Sequence, residues 1–297
     1  FICLCTHDRR ANCFTFDHHM QYTCQQLSFC ENGGQCFQNN AQCPTSAICA
    51  CAICYLGTRC QLSTRSFGLS LDVILGYQIR PKLPFSRQPK SLIISGVITI
   101  IMFALGLINS GLSIITFRRK QLRIVGCGVY LLMASITSLL TMVIFALKYL
   151  FLVMTQLSMT NNRTFLLVQC TTLEFSLKIL LQIGDWLYAC VAVERLINAM
   201  KGTKLSKNSS KKWAKYIILL LCIIITGTSL QEPFYRALID DEEEGRIWCI
   251  VHYSGSSSMI LDKYTSISAI LHFAAPFSLN LISTLGIILA ITRHHSK

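Results

Sequence analysis

Five long apolar blocks dominate the sequence after residue 90 and limit what the chain can fold into. Short polar connectors separate the blocks, which cover residues 92–117, 129–151, 172–200, 214–230 and 267–292. Each block approaches or exceeds the roughly 20 residues that a helix needs to cross a bilayer. A buried helix of a soluble protein would carry its apolar residues on one stripe only. Residues 91–297 are therefore predicted to form an all-α transmembrane bundle with five spans.

The basic residues predict how this bundle is oriented. The formal net charge is +13, and the acidic run at residues 240–244 follows the fourth block. Two connectors without acids contain Arg118, Arg119, Lys120 and Arg123 after the first block, and Lys201, Lys204, Lys207, Lys211, Lys212 and Lys215 after the third. By the positive-inside rule these connectors are cytosolic and the amino terminus is extracellular. We therefore expect a multi-pass plasma-membrane protein.

The lysine cluster could also bind nucleic acid. A short basic loop beside a span more often anchors topology or contacts anionic lipid, so we expect membrane lipids as partners and no nucleic acid. The same topology separates two glycosylation sequons. Asn162 begins the sequon in an outside loop, whereas Asn208 begins the one in a cytosolic loop. Only Asn162 is expected to carry sugar.

The cysteines are concentrated at the amino terminus. Eleven of the 16 lie in the first 60 residues, which is typical of a small domain stapled by disulfides in an oxidising compartment. A zinc module around Cys51 and Cys54 is the alternative. Zinc sites, however, use four ligands in paired knuckles, and this spacing is irregular. We expect no metal and no cofactor, and we expect three cysteines near the spans to be reduced: Cys127, Cys190 and Cys222.

The spacing C-x5-C-x5-C begins at Cys24, and the segments CENGGQC at 30–36 and CYLGTRC at 54–60 follow. Residues 24–60 thereby resemble an EGF-like domain, a small disulfide-rich β module. The resemblance implies three disulfides: Cys24–Cys36, Cys30–Cys49 and Cys51–Cys60. Two cysteines depart from the family pattern, since Cys43 is extra and Cys54 stands where glycine is usual. Our hypothesis is that these two form a fourth bridge.

Residues 1–13 look like the tail of a preceding module of the same kind, with Cys5 and Cys13 among its disulfide cysteines. Residues 61–90 are then an extracellular linker to the bundle. The stretch before Cys24 lacks the cluster of oxygen ligands with which some of these modules bind calcium. Calcium binding is therefore not predicted.

The third block contains polar residues that are costly within a membrane and by default mark a function. These residues are Glu174, Lys178, Gln182 and Asp185. At 100° per residue their offsets are roughly 0°, 40°, 80° and 20°, so they share one helix face. We expect that face to point into the bundle or a wet cavity. Glu174 and Lys178 can pair, and the face either contacts a ligand or forms a structural polar seam.

The block ends in Cys190-Val191-Ala192-Val193-Glu194-Arg195-Leu196. This segment resembles the Asp/Glu-Arg-Tyr motif that closes the third helix of rhodopsin-like (family A) G-protein-coupled receptors. Three further features match this family: Cys170 lies 25 residues before Arg195, a cysteine follows in the next outside loop, and Asn109 and Pro276 fit its helix-packing positions. The resemblance implies a Cys170–Cys249 disulfide.

The resemblance also implies a seven-helix receptor fold that signals from an extracellular ligand to a heterotrimeric G protein. Glu194 would restrain Arg195 through a charge-assisted bond until activation frees the arginine. The sequence departs from the family at Ser138, where aspartate is usual, and at Leu196, where tyrosine is usual. Leu177 disfavours aminergic ligands. Because the sequence ends after the fifth block, we expect a receptor fragment that lacks the last two helices, although a true five-span protein stays open.

Two other function classes fit parts of the sequence. An adhesion or recognition protein would bind a partner through the EGF-like module and use the spans only as an anchor. A transporter is a weaker alternative that would explain the charges within the spans. An enzyme is not predicted, because the sequence contains no Ser/His/Asp or Cys/His constellation and no phosphate-binding glycine loop.

Overall fold

A computed structural model of the chain describes its regular elements and some of their connections. The described residues are 2–5, 11–14, 22–24, 30–40, 47–53, 55–56, 59–60, 62–63, 75–76, 79, 87–157, 162–201, 207–241, 246–251, 253 and 258–295. The chain forms two compact units, Phe1–Leu69 with Asp241–Gly245 and Ser70–Asp240 with Arg246–Lys297. Each unit is described by itself.

The first unit contains short antiparallel strands. They are β1 (Ile2–Cys5), β2 (Ala11–Phe14), β3 (Tyr22–Thr23), β4 (Gln35–Gln38), β5 (Ala47–Ala50), β6 (Tyr55–Leu56) and β7 (Leu62–Ser63). Strands β1 and β2 pair with each other, β3, β4 and β5 form a three-stranded sheet, and β6 pairs with β7. In the sheet Cys36 lies opposite Cys49. Strands this short cannot enclose an apolar core, so other interactions must hold them.

Disulfides supply those interactions. The structure links Cys24 with Cys36, Cys30 with Cys49, and Cys51 with Cys60, the same pairs that the EGF-like resemblance implies. The buried cluster of this unit is made of half-cystines, with Tyr55 packed against it. Cys43 and Cys54 lie outside the described residues, as do the side chains of Cys5 and Cys13, so their bridges stay predictions.

The Glu31–Gly34 segment is a tight turn that explains the two adjacent glycines. Asn32 and Gly33 have φ values of 51° and 76°, and the Gly34 amide donates to the Glu31 carbonyl at 3.0 Å. Asn-Gly is the residue pair that best tolerates two successive left-handed conformations. A Cβ atom on Gly34 would lie 2.6 Å from the Cys60 sulfur. Gly34 is therefore required by the close approach of a disulfide.

We expect Gly34→Ala to destabilise the first unit by about 1–3 kcal/mol, because the added methyl group needs the space of the Cys60 sulfur. Peptide mapping of the non-reduced protein should find less of the Cys51–Cys60 bridge. Gly33→Asn is the matched control, since asparagine tolerates a left-handed φ and nothing lies within 4 Å of that Cβ position. An unchanged bridge in Gly34→Ala would contradict this explanation.

The second unit contains the helices that the apolar blocks predict. They are α1 (Lys90–Phe117), α2 (Gly126–Gln156), α3 (Arg163–Lys201), α4 (Lys207–Ser229) and α5 (Ser258–His295). Within the described part of the chain, five helices are long and apolar enough to cross a membrane, which confirms the predicted number of spans. A short 3-10 helix (Glu232–Tyr235) and two paired strands, β8 (Arg236–Asp241) and β9 (Arg246–Val251), connect α4 to α5.

Several helices extend beyond the blocks from which they were predicted. Helix α3 begins at Arg163 instead of residue 172, and α5 begins at Ser258 instead of residue 267. The apolar pattern marks only the part of a helix that needs hydrocarbon around it. The extensions mix polar and apolar residues, with Phe165–Val168 in α3 and Asp262 and Lys263 in α5, so composition does not mark the helix boundary there.

Helix α3 is the centre of the bundle. It packs against α2, α4 and α5, while α1 packs against α2. The main buried cluster comes from α2, α3 and α4 and consists of Tyr130, Ala134, Leu187, Val191, Ala214 and Ile218. Large apolar side chains cover the outer surface, among them Ile100, Leu105 and Phe273, which are 62–70% exposed. Such a surface suits lipid and not water. Cys127, Cys190 and Cys222 carry free thiols, as the sequence predicted.

Candidate functional site

Polar residues gather at both ends of α3. Near its start Cys170 is disulfide-bonded to Cys249 of β9, the pair that the family resemblance implies, and we call this the disulfide end. Glu194 and Arg195 lie near the other end of the same helix, which we call the Glu-Arg end. At 1.5 Å per residue, the 25 residues between Cys170 and Arg195 span about 38 Å. One rigid element thus joins two polar clusters across the thickness of a bilayer.

A chain of ion pairs lies at the disulfide end. Lys148 Nζ of α2 is 2.7 Å from Glu174 Oε1 of α3. Lys178 Nζ of α3 is 2.9 Å from Glu232 Oε2 of the 3-10 helix. Arg236 Nη2 completes the chain, 3.2 Å from Glu232 Oε1 and 3.8 Å from Glu174 Oε2. We call these five residues the charge network.

The network alternates in sign and ties four elements together: α2, α3, the 3-10 helix and β8. The side chains of Lys148 and Arg236 are only 6% exposed, so each needs a counter-charge. Three cations face two acids, which leaves one excess positive charge, and Lys178 has the most exposed side chain at 25%. The sequence suggested that Glu174 and Lys178 can pair along α3. The structure instead gives each of them a partner on another element, so the network holds helices together.

The other two residues of the predicted polar face differ from one another. Gln182 is buried, and its Oε1 accepts a hydrogen bond of 3.3 Å from Ser229 Oγ of α4. Asp185 is exposed, so it is not packed inside the bundle, and its place on a wet cavity stays a prediction. The 3-10 helix and the end of α4 cover this face near Glu232 and Ser229. Further along α3 the face is open at Asp185.

A buried hydrogen-bonded triad links α3, α4 and α5. Trp186 Nε1 donates to His272 Nδ1 at 3.1 Å, and His272 Nε2 lies 3.0 Å from Thr228 Oγ1. His272 is 4% exposed. Because Nδ1 accepts from the indole, we assign the imidazole proton to Nε2, which donates to Thr228. The sequence does not reveal this triad, since one polar residue on each of three helices produces no local pattern.

A second hydrogen-bonded group joins Tyr253, which follows β9, to Thr265 of α5. The Tyr253 hydroxyl is 2.8 Å from Thr265 Oγ1, which also accepts from Gln231 Nε2 at 3.1 Å. Burial raises the pKa of the Tyr253 phenol above its usual value of 10.0. The phenol is therefore protonated at neutral pH and serves as a hydrogen-bonding group.

At the Glu-Arg end, Glu194 faces α4. Its Oε1 accepts a hydrogen bond from Ser210 Oγ, and the Gly126 amide donates to the same Ser210 oxygen at 3.1 Å. A Cβ on Gly126 would lie 2.8 Å from Glu194 Oε2, so a larger residue here would displace this carboxylate. Arg195 is exposed, and the described residues contain no ion pair to it. The expected bond from Glu194 to Arg195 is replaced by one to Ser210, because adjacent helical residues point about 100° apart.

The two predicted helix-packing residues also differ. Pro276 is fully buried within α5, whereas Asn109 is exposed on α1 and its neighbour Ser110 is buried. The close approach of α1 to α2 occurs at Gly106, where a Cβ would lie 2.7 Å from Met142 Cγ. The smaller residues Gly106 and Ser110 therefore take the packing position expected at Asn109.

Sequence reasoning could have found one further member of the charge network. Lys148 lies inside the second apolar block, and the cost of a charge in a membrane flags it as it flags Glu174. Glu232 and Arg236 carry no such signal, because they follow the fourth block in a polar connector. Ser210 is the third residue of the Asn208 sequon, and that pattern does not mark its hydroxyl group as a partner of Glu194.

A comparison of the chain with known protein families tests the family relationship that the disulfide, the Glu-Arg end and the helices suggest. The profile of the 7 transmembrane receptor (rhodopsin family) matches residues 108–297, more than half of the chain. The chain belongs to the rhodopsin family of receptors. The matched part of this rhodopsin-family receptor contains both polar clusters and the Cys170–Cys249 disulfide. A comparison with curated proteins finds no matching relative.

Family membership confirms the rhodopsin-like resemblance and the fold class. This rhodopsin-family receptor is a multi-pass membrane protein with a helical bundle and a small disulfide-rich amino-terminal region that contains short strands. The family supports transmembrane signalling of the G-protein-coupled type.

We expect Lys148→Met to lower the stability of the detergent-solubilised receptor by about 3–5 kcal/mol, because Glu174 loses its closest counter-ion. Thermal unfolding followed by tryptophan fluorescence measures this loss. In the double variant Lys148→Met/Glu174→Gln the loss should be smaller than the sum of the single losses. Lys263→Met removes an exposed lysine and serves as the control. Additive losses at positions 148 and 174 would contradict a direct ion pair.

Proposed function

We propose that this protein is a plasma-membrane G-protein-coupled receptor whose amino terminus and disulfide end are extracellular and whose Glu-Arg end is cytosolic. The observation that carries the proposal is the placement of the charge network and of Glu194 and Arg195 at opposite ends of one helix, in a chain of the rhodopsin family. The acid-free basic connectors beside the Glu-Arg end support this orientation.

The charge network is the proposed receiving element. When a ligand pairs with one member of the charge network, it displaces that member's partner. The partner's buried charge is then uncompensated, at a cost of several kcal/mol. Lys178 is the member that a ligand reaches most easily, because its side chain is the most exposed. A ligand anion at Lys178 would release Glu232 and, through Arg236, change the environment of Glu174. Helix α3 then relieves the imbalance by shifting against α2 and α4.

The proposed output is the surface around Arg195. Glu194 and Ser210 link α3 to α4 in the resting arrangement, so a shift of α3 changes or breaks that bond. Arg195 follows Glu194 directly and is exposed, which makes its guanidinium available to a G protein. In this mechanism Glu194 restrains the helix that carries Arg195, and does not restrain the arginine itself.

The first unit is the proposed site for an extracellular ligand or protein partner. Its three disulfides have the pairing expected of an EGF-like domain. The same observation favours the second candidate function, adhesion through this module. Deleting residues 1–60 separates the two functions: loss of cell binding with retained signalling favours adhesion, and loss of ligand-driven signalling favours a receptor module.

We expect Arg195→Ala to abolish ligand-driven nucleotide exchange on the G protein while surface expression stays within about twofold, because an exposed side chain contributes little to folding. Exchange is measured in membranes and surface expression by antibody labelling of the amino terminus. Arg119→Ala removes an exposed arginine from a basic connector and should leave exchange intact. Unchanged exchange in Arg195→Ala would reject the output mechanism.

We expect Asn162→Asp to remove an N-linked glycan without destabilising α3. Asn162 Oδ1 accepts a hydrogen bond of 3.2 Å from the Phe165 amide, and aspartate caps a helix equally well. The loss of a glycosidase-sensitive band shift on a gel measures the change. Asn208→Asp should leave the shift intact. The opposite result, with sugar at Asn208 only, would invert the proposed topology.

A further inference from the structure

A cavity of about 420 Å³ lies beside the Glu-Arg end, between α3 and α4. Trp186 and Val193 line it from α3, Trp213 and Ile217 line it from α4, and Leu279 of α5 contributes to its wall. It belongs entirely to the second unit. Its volume falls in the range of small-molecule sites, which are mainly apolar and contain a few convergent polar groups.

The polar groups of this cavity gather at one end. Glu194, Asn198, Ser209 and Ser210 lie together there, and Glu194 is the one charged residue among the lining residues that the structure describes. Glu194 Oε1 already accepts from Ser210. Its Oε2 is buried and makes no hydrogen bond of normal geometry within the described part of the chain, although the Gly126 amide lies close to the carboxylate. A buried acceptor without a partner is costly, and a ligand that donates to it recovers that cost.

The lining therefore selects for charge as well as for shape. An anionic group would meet the Glu194 carboxylate without a compensating cation in the lining, whereas an ammonium group would pair with it. Trp186 of α3 and Trp213 of α4 present aromatic side chains to an apolar body. We propose that this cavity binds a cationic amphiphile, with its ammonium group at Glu194 and its apolar body between α3 and α4.

Binding here is separate from the charge network at the disulfide end, and its test does not depend on signalling. The bound ammonium group would compete with Ser210 for Glu194, the contact that joins α3 to α4. A ligand in this cavity would therefore act on the same helix pair as the proposed output, but from the side of the bundle.

The two tryptophans of the cavity provide the measurement. The chain has three tryptophans, and Trp248, the one outside the cavity, is fully buried. The full chain is placed in phosphatidylcholine nanodiscs, which carry no net charge, and titrated with 11,12-dibromododecylamine, whose bromines quench nearby tryptophans. The neutral probe 11,12-dibromododecanol has the same apolar body and lacks the ammonium group.

We expect saturable quenching by the amine, with an apparent Kd about tenfold lower than that of the alcohol, because a charge-assisted bond is worth about a factor of ten or more. Glu194→Gln should weaken binding of the amine about tenfold and leave binding of the alcohol unchanged. Asp185→Asn is the matched control, since it removes an exposed carboxylate of α3 that does not line the cavity, and it should change neither Kd.

Three outcomes would overturn the proposal. Quenching that does not saturate shows only partition into the bilayer. Equal affinity for amine and alcohol in the unsubstituted protein shows an apolar groove that does not recognise charge, and this comparison requires no variant to fold. An equal loss of amine binding in Glu194→Gln and Asp185→Asn shows that the total charge of the protein, and not the cavity, attracts the probe.

Discussion

Polar contacts buried between helices hold this bundle together, and the rest of the structure depends on them. In a bilayer, lipid tails solvate apolar side chains as well as other helices do, so burial of leucine or isoleucine gives little drive for association. The Lys148–Glu174 ion pair joins α2 to α3, and the Trp186–His272 hydrogen bond joins α3 to α5. A charge or donor left alone there is costly, so each contact fixes how one helix is rotated against another.

Helix α3 contributes a partner to contacts at every level of the bundle. Glu174 belongs to the charge network, Trp186 to the buried triad and Glu194 to the bond with α4. A continuous helix has few internal degrees of freedom, so a displacement at one end changes contacts at the other. Glycine at position 126 brings the α2 backbone close to Glu194 and Ser210, which makes this end sensitive to small displacements. The cavity beside Glu194 adds a second place at which a bound molecule could act on the same contact.

The first unit follows a different physical rule. Its strands are two to four residues long, and its buried cluster consists largely of half-cystines. Disulfides stabilise such a unit chiefly by restricting the unfolded chain, so it needs no large apolar core. The Asn32-Gly33-Gly34 turn illustrates the consequence, because the position of a cystine sulfur decides which residue the backbone can carry. The same glycine that identifies the module in the sequence is the one that the disulfide requires.

The sequence by itself determined the membrane class and the number of spans, and its resemblance to EGF-like domains implied three disulfides that the structure shows. Bilayer thickness sets the length of an apolar run, which is why the spans can be found without a tertiary structure. Only the tertiary structure decided that Glu174 pairs with Lys148, that Glu194 bonds to Ser210, and that Asp185 and Asn109 are exposed. Helical periodicity predicts which residues share a face, but a partner on another helix depends on rotation, translation and neighbours. Those are set by all the contacts of the bundle together, and no local pattern in the sequence contains them.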